Sequence, residues 1–300
     1  MSDNLKAHLS LFAANLIYGA NYSIAKEVMP DYIQPFGFIL IRVLGALFLF
    51  AVIFSIWKRE KIHREDLKLF ALCGLTGVAI NQLMFFKGLS MTSPIEAAII
   101  LTANPVMVLI AAAVIAGQKI SWNKLAGIFL ALSGALILIL QQKDFSISES
   151  HTIGNLFILI NAASYAVYLV IVQPLMQKYK PGTVMLIVFS FGLLYVLPFG
   201  WSEMQMVNWG GMPVEIWLAV VFIVVGTTYL AYLFNSYGLS KLSPSVVSVY
   251  IYLQPLFASL VAIGWGKDRL DLEKLISAIL VFAGIYLTTV RGEKKRVLEK

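Results

Sequence analysis

Three short polar patterns stand inside stretches of this chain that are otherwise hydrocarbon: Asn15, Tyr18 and Tyr22; Asn161, Tyr165 and Tyr168; and Thr228, Tyr232 and Asn235. Within each set the spacing is three or four residues, so on a helix each set occupies one face. Asn81 and Gln82, Thr102 and Asn104, and Ser245, Ser248, Tyr252 and Gln254 add further neutral polar groups. Without a neighbouring base, amides, hydroxyls and phenol rings hydrogen-bond and stack rather than make and break covalent bonds. Such groups recognise a zwitterionic or neutral, partly apolar solute: an amino acid, aromatic ones included, or a nucleoside. The competing reading is interhelical polar glue, which would claim about half of these residues taken singly.

Bond-making chemistries lack their residues. The single cysteine, Cys73, sits in an apolar run, His8, His63 and His151 fall at ends or in connectors, and no aspartate lies inside an apolar stretch. Metal, aspartyl and histidine catalysis are therefore not expected, nor is a cofactor. No Gly-rich phosphate loop is present, so ATP is not expected to act directly. Three ionisable residues do fall in apolar stretches. Glu96, two residues after Pro94, is a proton-coupling candidate or a capping carboxylate facing water, with nothing in the sequence to separate the two. Arg42 is expected to make a fixed, structural ion pair or carbonyl contact rather than to touch a solute, and Lys87 to reach the surface along its own stem.

These residues need elements that can hold them in hydrocarbon. The chain is 59% hydrophobic and only 13% charged, with a mean hydropathy of +0.82, where a soluble domain averages about 25% charged. Its apolar runs are long enough to cross a hydrocarbon layer of about 30 Å as helices. Reading runs and breakers together places helices at about 8–28, 35–57, 67–89, 94–116, 122–140, 153–175, 182–200, 214–239, 244–264 and 272–290. The expected class is an all-α integral membrane protein of ten transmembrane helices. A cleaved signal peptide is set aside, because Asn15, Tyr18 and Asn21 interrupt the first run and no small-x-small site follows it.

The formal charge of +7 does not point to nucleic acid, since Lys and Arg sit in connectors and in the tail rather than on one face. They read instead as topology signals. The connector Lys58-Arg59-Glu60-Lys61-Ile62-His63-Arg64 is the strongest, joined by Lys119 and Lys124, Lys178 and Lys180, Lys241, and a tail with Arg291, Lys294, Lys295, Arg296 and Lys300. Lys143 and Gly266-Lys267-Asp268-Arg269 fall on the other side, and Trp201 to Gly211 carries no Lys or Arg. The positive-inside rule then puts both termini in the cytoplasm of an inner-membrane, multi-pass protein.

The chain also repeats itself. At an offset of 150, Gly88-Leu89-Ser90 matches Gly238-Leu239-Ser240, Ser93-Pro94 matches Ser243-Pro244, and Pro105 matches Pro255; at 146, Asn15, Tyr22 and Pro35 match Asn161, Tyr168 and Pro181. The halves are residues 1–146 and 147–300, five helices each. An odd number of spans inverts the second half relative to the first. Inverted repeats place a solute site near the midplane between the halves and permit rocking between two openings. Helices one, three, four, six, eight and nine are expected around a central cavity, with the others outside. Pro105 and Pro255 should kink helices four and nine beside Asn104 and Gln254.

Tyr18-Gly19-Ala20-Asn21-Tyr22, the arginine of Leu40-Ile41-Arg42, Gly88-Leu89-Ser90 followed by Thr92-Ser93-Pro94 and Pro105, and the glycine-rich Leu125-Ala126-Gly127 and Ser133-Gly134-Ala135 together resemble the EamA family of the drug/metabolite transporter superfamily. The resemblance covers nearly the whole chain, twice. It implies ten helices around a cavity, and export or exchange of amino acids, related metabolites or drugs. Glu96 departs from the family pattern, which has a small or neutral residue there. The expected function is a transporter that exports a small organic metabolite by alternating access. Its partners would be the solute and the lipid bilayer, with proton coupling at Glu96, no nucleic acid, and a monomer or weak homodimer as the working unit. A passive facilitator or exchanger for nucleosides or drugs, and an intramembrane enzyme, are the alternatives.

Overall fold

The computed structural model describes residues 2–56, 60–140, 152–264 and 271–298, and these are helical throughout apart from short connectors. Lys58, Arg59, Lys143, His151, Gly266-Lys267-Asp268-Arg269 and Lys300 lie outside the described residues, as do the side chains of Tyr22 and of the tail cations from Arg291 onward. The first helix, α1 (Asp3–Val28), starts where the Ser2 side chain accepts from Leu5 N, and α2 (Pro35–Ile56) starts at a proline. Then come α3 (Leu67–Gly74), a π-helical segment (Leu75–Ile80) and α4 (Asn81–Met91) as one stretch, followed by α5 (Pro94–Leu101), α6 (Asn104–Ala116) and α7 (Trp122–Leu140). Ser93 caps α5 with Pro94 behind it, and Gly117 ends α6 at φ +61°, a left-handed conformation that suits glycine.

The second half has a parallel order. It runs through α8 (Thr152–Ile171), α9 (Gln173–Lys178), α10 (Pro181–Gln205), α11 (Val214–Val221), a π-helical segment (Phe222–Leu230) and α12 (Ala231–Lys241). It ends with α13 (Pro244–Val249), a 3₁₀ turn (Tyr250–Tyr252), α14 (Leu253–Gly264) and α15 (Leu272–Leu298). Among the described residues, eight stretches are long and apolar enough to cross a membrane. The chain is a multi-pass membrane protein. Of the other two long helical stretches, α1 has 26 residues and carries three asparagines, and the apolar part of α13 and α14 runs only from Pro244 to Leu260.

Two expectations change. The fourth and ninth helices are not continuous rods kinked at mid-length: each breaks just before its proline, at Thr102 and Ala103 ahead of Asn104-Pro105 and at Tyr250–Tyr252 ahead of Gln254-Pro255. Proline has no N–H for the carbonyl four residues earlier, so the turn before it loosens. Tyr252 Oη donates to Thr102 O at 2.9 Å, tying one break to the other. The last helix also runs well past 290, because the charged tail stays helical to Leu298.

Helices pack through small residues, as expected where lipid removes the hydrophobic drive between them. Gly127 in α7 and Gly284 in α15 face each other so closely that a Cβ on Gly127 would lie 2.7 Å from Gly284 O, and one on Gly284 would lie 2.5 Å from Gly127 O. Gly134 meets Ser277 one to two turns on, so α7 and α15 run antiparallel. A second antiparallel pair is α2 with α10, where Gly200 touches Phe36 and Leu40 while Phe50 touches Phe189. Glu203 Oε2 accepts from the N–H groups of Phe36 and Gly37 at 2.7 and 2.9 Å, placing a carboxylate at the N-terminus of α2. Around the centre, α4 packs antiparallel on α8 and α12 antiparallel on α1, through Gly88 against Gly154 and Gly238 against Leu11.

Gly127→Val should lower the melting temperature of the detergent-solubilised protein, corresponding to a loss of about 2 kcal/mol, because backbone must move to admit the side chain. Gly210→Ala, where a Cβ meets nothing within 4 Å, is the control and should leave it unchanged. Equal melting of the two variants would remove the close α7–α15 approach from the list of stabilising features.

Candidate functional site

A cavity of about 120 Å³ lies between the two halves, several times the ~10–15 Å³ that one water needs. From the first half, Asn15, Tyr18 and Asn21 of α1, Arg42 of α2, Asn81, Gln82, Phe85 and Phe86 of α4, Leu101 and Asn104 line it. From the second half come Asn161 and Tyr165 of α8, Thr227, Tyr232 and Asn235, then Val247, Ser248, Ile251 and Gln254. Among the described residues the lining holds one cation, Arg42, and no carboxylate. The remainder is amide, hydroxyl, phenol and hydrocarbon.

Many of the polar groups are held by each other. Tyr232 Oη accepts from Gln82 Nε2 and lies 3.3 Å from both Gly77 O and Asn81 Oδ1. Asn161 Nδ2 donates to Asn81 O at 2.7 Å, and Asn104 Nδ2 to Ala162 O at 2.8 Å. Asn15 donates to Leu11 O and accepts from Gln254 Nε2 at 2.9 Å, while Tyr18 Oη accepts from Asn235 Nδ2 at 3.3 Å. Ser248 donates to Ser245 O within its own helix. These are interhelical or local ties, and in them Asn15, Asn161 and Gln254 serve packing as much as the cavity.

Arg42 differs from its neighbours. Its side chain is 2% exposed, its Nε donates to Thr228 Oγ1 at 2.9 Å, and its guanidinium carbon stands 4.1 Å from the centre of the Phe86 ring. Nη1 is buried without a hydrogen-bond partner. Asn21 Oδ1, Gln82 Oε1, Asn104 Oδ1 and Thr227 Oγ1, on other cavity-lining residues, are also buried and unpartnered. Its contact is to the Thr228 hydroxyl rather than to a carboxylate or a carbonyl, and the residue also borders the cavity.

Four expected site residues stand behind the wall. Thr228 is fully buried, donating to Ile223 O five residues back and accepting from Arg42. A π-helical turn brings the residue five positions back into hydrogen-bond range, which rotates the face: Thr227, not Thr228, borders the cavity. Tyr168 stacks behind Tyr165 with ring centres 5.8 Å apart and lies over Gly77, whose missing Cβ makes room for its ring. Thr102 and Tyr252 join the two helix breaks instead of lining the space. Asn21, Thr227, Phe85 and Phe86 line the cavity without having been singled out from the sequence as site residues, whereas Gln82 and Asn235 belong to its polar patterns; Asn21 follows Tyr18 by three residues, so helical spacing carried a signal for it.

Glu96 is not part of the lining. It is 4% exposed in the first turn of α5, where Asn155 Nδ2 of α8 donates to its Oε2 at 2.6 Å and its own N–H donates to Ser93 Oγ at 3.1 Å. Thr92 Oγ1 lies 2.6 Å from Asn155 Oδ1 and 3.3 Å from Glu96 Oε2, and Lys26 Nζ donates to Thr92 O. Among the described residues no group of three or more His, Cys, Asp or Glu is placed to hold a metal ion.

Known proteins share this plan. The model of the EamA-like transporter family matches residues 5–140 and again 152–290. An "Uncharacterized transporter" of Archaeoglobus fulgidus is 27% identical over 96% of this chain and 99% of its own, and the "Uncharacterized transporter YyaM" of Bacillus subtilis is 24% identical over 94% and 93%. A "Probable terminal-alkyne amino-acid exporter" of Streptantibioticus cattleyicolor is 24% identical over 77% of this chain and 76% of its own. One solved crystal structure shares the fold at a TM-score of 0.75, with 18% identity over 95% of this chain and 98% of that one.

Tyr232→Phe deletes the hydroxyl between α4 and α12 while keeping the ring. It should cost about 1 kcal/mol of stability, read as a melting temperature a few degrees lower in detergent. Tyr286→Phe, at a ring that is 68% exposed, should change nothing. If the two variants melt alike, the hydroxyl does not tie the helices.

Proposed function

The chain belongs to the EamA-like transporter family, and from that premise we propose that it moves a small organic metabolite across the inner membrane through the cavity, by alternating access and in the direction of export. The observation that carries this reading is the cavity's composition and place: a space with many polar side chains in its lining, within a hydrocarbon-rich protein, walled by both family repeats. Polar groups at such depth are costly unless they serve a solute path.

Ten spans and an inverted repeat complete the proposal. Their support is the exchange of helix contacts between halves. If α1 corresponds to α8, α2 to α10, α4 to α12, α6 to α14 and α7 to α15, the pairing of α4 with α8 becomes that of α12 with α1, and α6 with α8 becomes α14 with α1. The pairs α2 with α10 and α7 with α15 map onto themselves, and both run antiparallel, as corresponding helices of an inverted repeat must. The ties of Asp66 to Lys178 and Tyr179, of Glu60 to Lys180 N and of Asp3 to Lys241 gather one end of the bundle, which we assign to the cytoplasm with both termini.

Proton coupling is assigned to Glu96. Thr92 has one hydroxyl proton for two acceptors, Asn155 Oδ1 and Glu96 Oε2, so a proton arriving on Glu96 adds a donor that this ring can use. The solute is an amino acid or a closely related compound. A printed name supports that class, since the Streptantibioticus cattleyicolor relative is called an amino-acid exporter.

Proteoliposomes bearing the protein should show saturable uptake with counterflow for at least one solute of an amino-acid panel, and a pH gradient should drive accumulation. Glu96→Gln should abolish the gradient-driven part and keep exchange at equal pH. Flux that rises linearly with concentration and shows no counterflow would make the protein a passive facilitator instead. Topology is separately testable: a reporter active only in the periplasm should be silent when fused after Lys180 and active after Val207, and the reverse pattern would overturn the orientation.

A further inference from the structure

We infer that the transported solute carries a carboxylate that binds Arg42 at Nη1, and an ammonium group that binds amide oxygens on the same cavity; this deepens the transport reading above and rests on it. A guanidinium stays protonated at physiological pH, so the cavity holds a permanent positive charge. Among the described residues its lining offers no carboxylate to balance that charge. Thr228 occupies only Nε, and Phe86 covers one face of the guanidinium, which leaves Nη1 buried with an unspent donor. A buried cation without a counter-ion is destabilising, and the cost falls when an anion arrives. Carboxylate is the fitting anion for one fixed guanidinium edge in a small cavity. A phosphate, with its larger charge, would need more than a single cation.

The remaining unspent atoms have the opposite character. Gln82 has committed its Nε2 to Tyr232 and Asn104 its Nδ2 to Ala162, so each amide keeps its oxygen unpartnered on a residue that borders the cavity. Asn21 Oδ1 is buried and unpartnered as well. One lone donor on a cation and three lone acceptor oxygens are complementary to a zwitterion, whose carboxylate accepts and whose ammonium has three N–H donors. Tyr18, Tyr165 and Phe85 leave aromatic and apolar surface for the side chain of such a solute.

The test compares matched triplets: L-phenylalanine, its decarboxylated amine phenethylamine, and its deaminated acid 3-phenylpropionate, with the corresponding leucine triplet. Binding is measured on the full chain in lipid nanodiscs and flux in proteoliposomes. Wild-type protein should bind an amino acid at least about tenfold more tightly than its amine, with the deaminated acid between them. Arg42→Gln should erase the preference for the carboxylate, and Arg42→Lys should retain part of it. The wild-type comparison needs no variant to fold, so it decides even if both substitutions fail to express. Equal or stronger binding of the amines, no carboxylate binding in either triplet, or an intact preference in Arg42→Gln would each overturn the inference. Carboxylate-selective binding without flux would uphold the Arg42 site and overturn transport, whereas flux without carboxylate preference would do the reverse.

Discussion

A backbone carbonyl inside a bilayer has no water to turn to, so wherever a helix departs from α geometry another group must supply its hydrogen bond. This constraint organises the centre of the protein. Over the π-helical segment Leu75–Ile80 and its exit, Ser164 donates to Thr76 O at 2.7 Å, Tyr232 Oη stands 3.3 Å from Gly77 O, and Asn161 donates to Asn81 O. Over the break before Pro105, Tyr252 donates to Thr102 O. In the second π-helical segment Thr228 answers Ile223 O itself and then holds Arg42. Two of these side chains, Tyr232 and Asn161, also wall the cavity, while Ser164, Thr228 and Tyr252 hold the distorted helices from outside its lining.

The distortions come in pairs. Both π-helical segments precede the helix that carries a glycine against the first or sixth long helix, Gly88 against Gly154 and Gly238 against Leu11. Both proline breaks sit 150 residues apart and are joined by a single hydrogen bond between residues also 150 apart, Thr102 and Tyr252. Chemistry then separates the halves. Arg42 in the first half aligns with apolar residues of α10, so among the described residues only the first half contributes charge to the lining. A symmetric scaffold with an asymmetric lining can hold a solute in one orientation.

How much of this was legible depended on whether the signal was local. Apolar runs, prolines and connector charges announced the long helices, because crossing hydrocarbon sets length and composition directly. Asn15, Tyr18, Asn161, Tyr165, Tyr232 and Asn235, read from helical spacing, line the cavity, as do Asn81, Gln82, Asn104, Ser248 and Gln254, read as polar residues in apolar runs. Thr228 did not, because the π-helical segment shifts the register that a 3.6-residue period assumes. Tyr168 did not, because the room behind Tyr165 exists only through Gly77 on another helix. The neighbourhood of Glu96 depends on Asn155, 59 residues away, and no periodicity reports such a meeting. Arg42 was assigned one fixed contact; its unspent nitrogen is visible only when every neighbour has been placed.

The two kinds of helix contact have different mechanical consequences. Between α7 and α15 backbone meets backbone through Gly127 and Gly284, and between α2 and α10 through Gly37, Gly200 and the Glu203 cap, so these pairs have little slack in which to slide. Around the cavity the ties are single side-chain hydrogen bonds, each worth roughly 0.6 kcal/mol on average in membrane proteins. Several such bonds can be exchanged for solute contacts or water without unfolding a helix. Since each close pair takes one helix from either half, a rocking motion of the proposed kind would turn about those pairs and open the bundle where Tyr232, Asn15 and Asn161 now hold it. On the proposed reading, a solute that satisfies Arg42 and the lone amide oxygens would change the balance at that same place, and occupancy and opening would be coupled through the polar atoms left unpaired there.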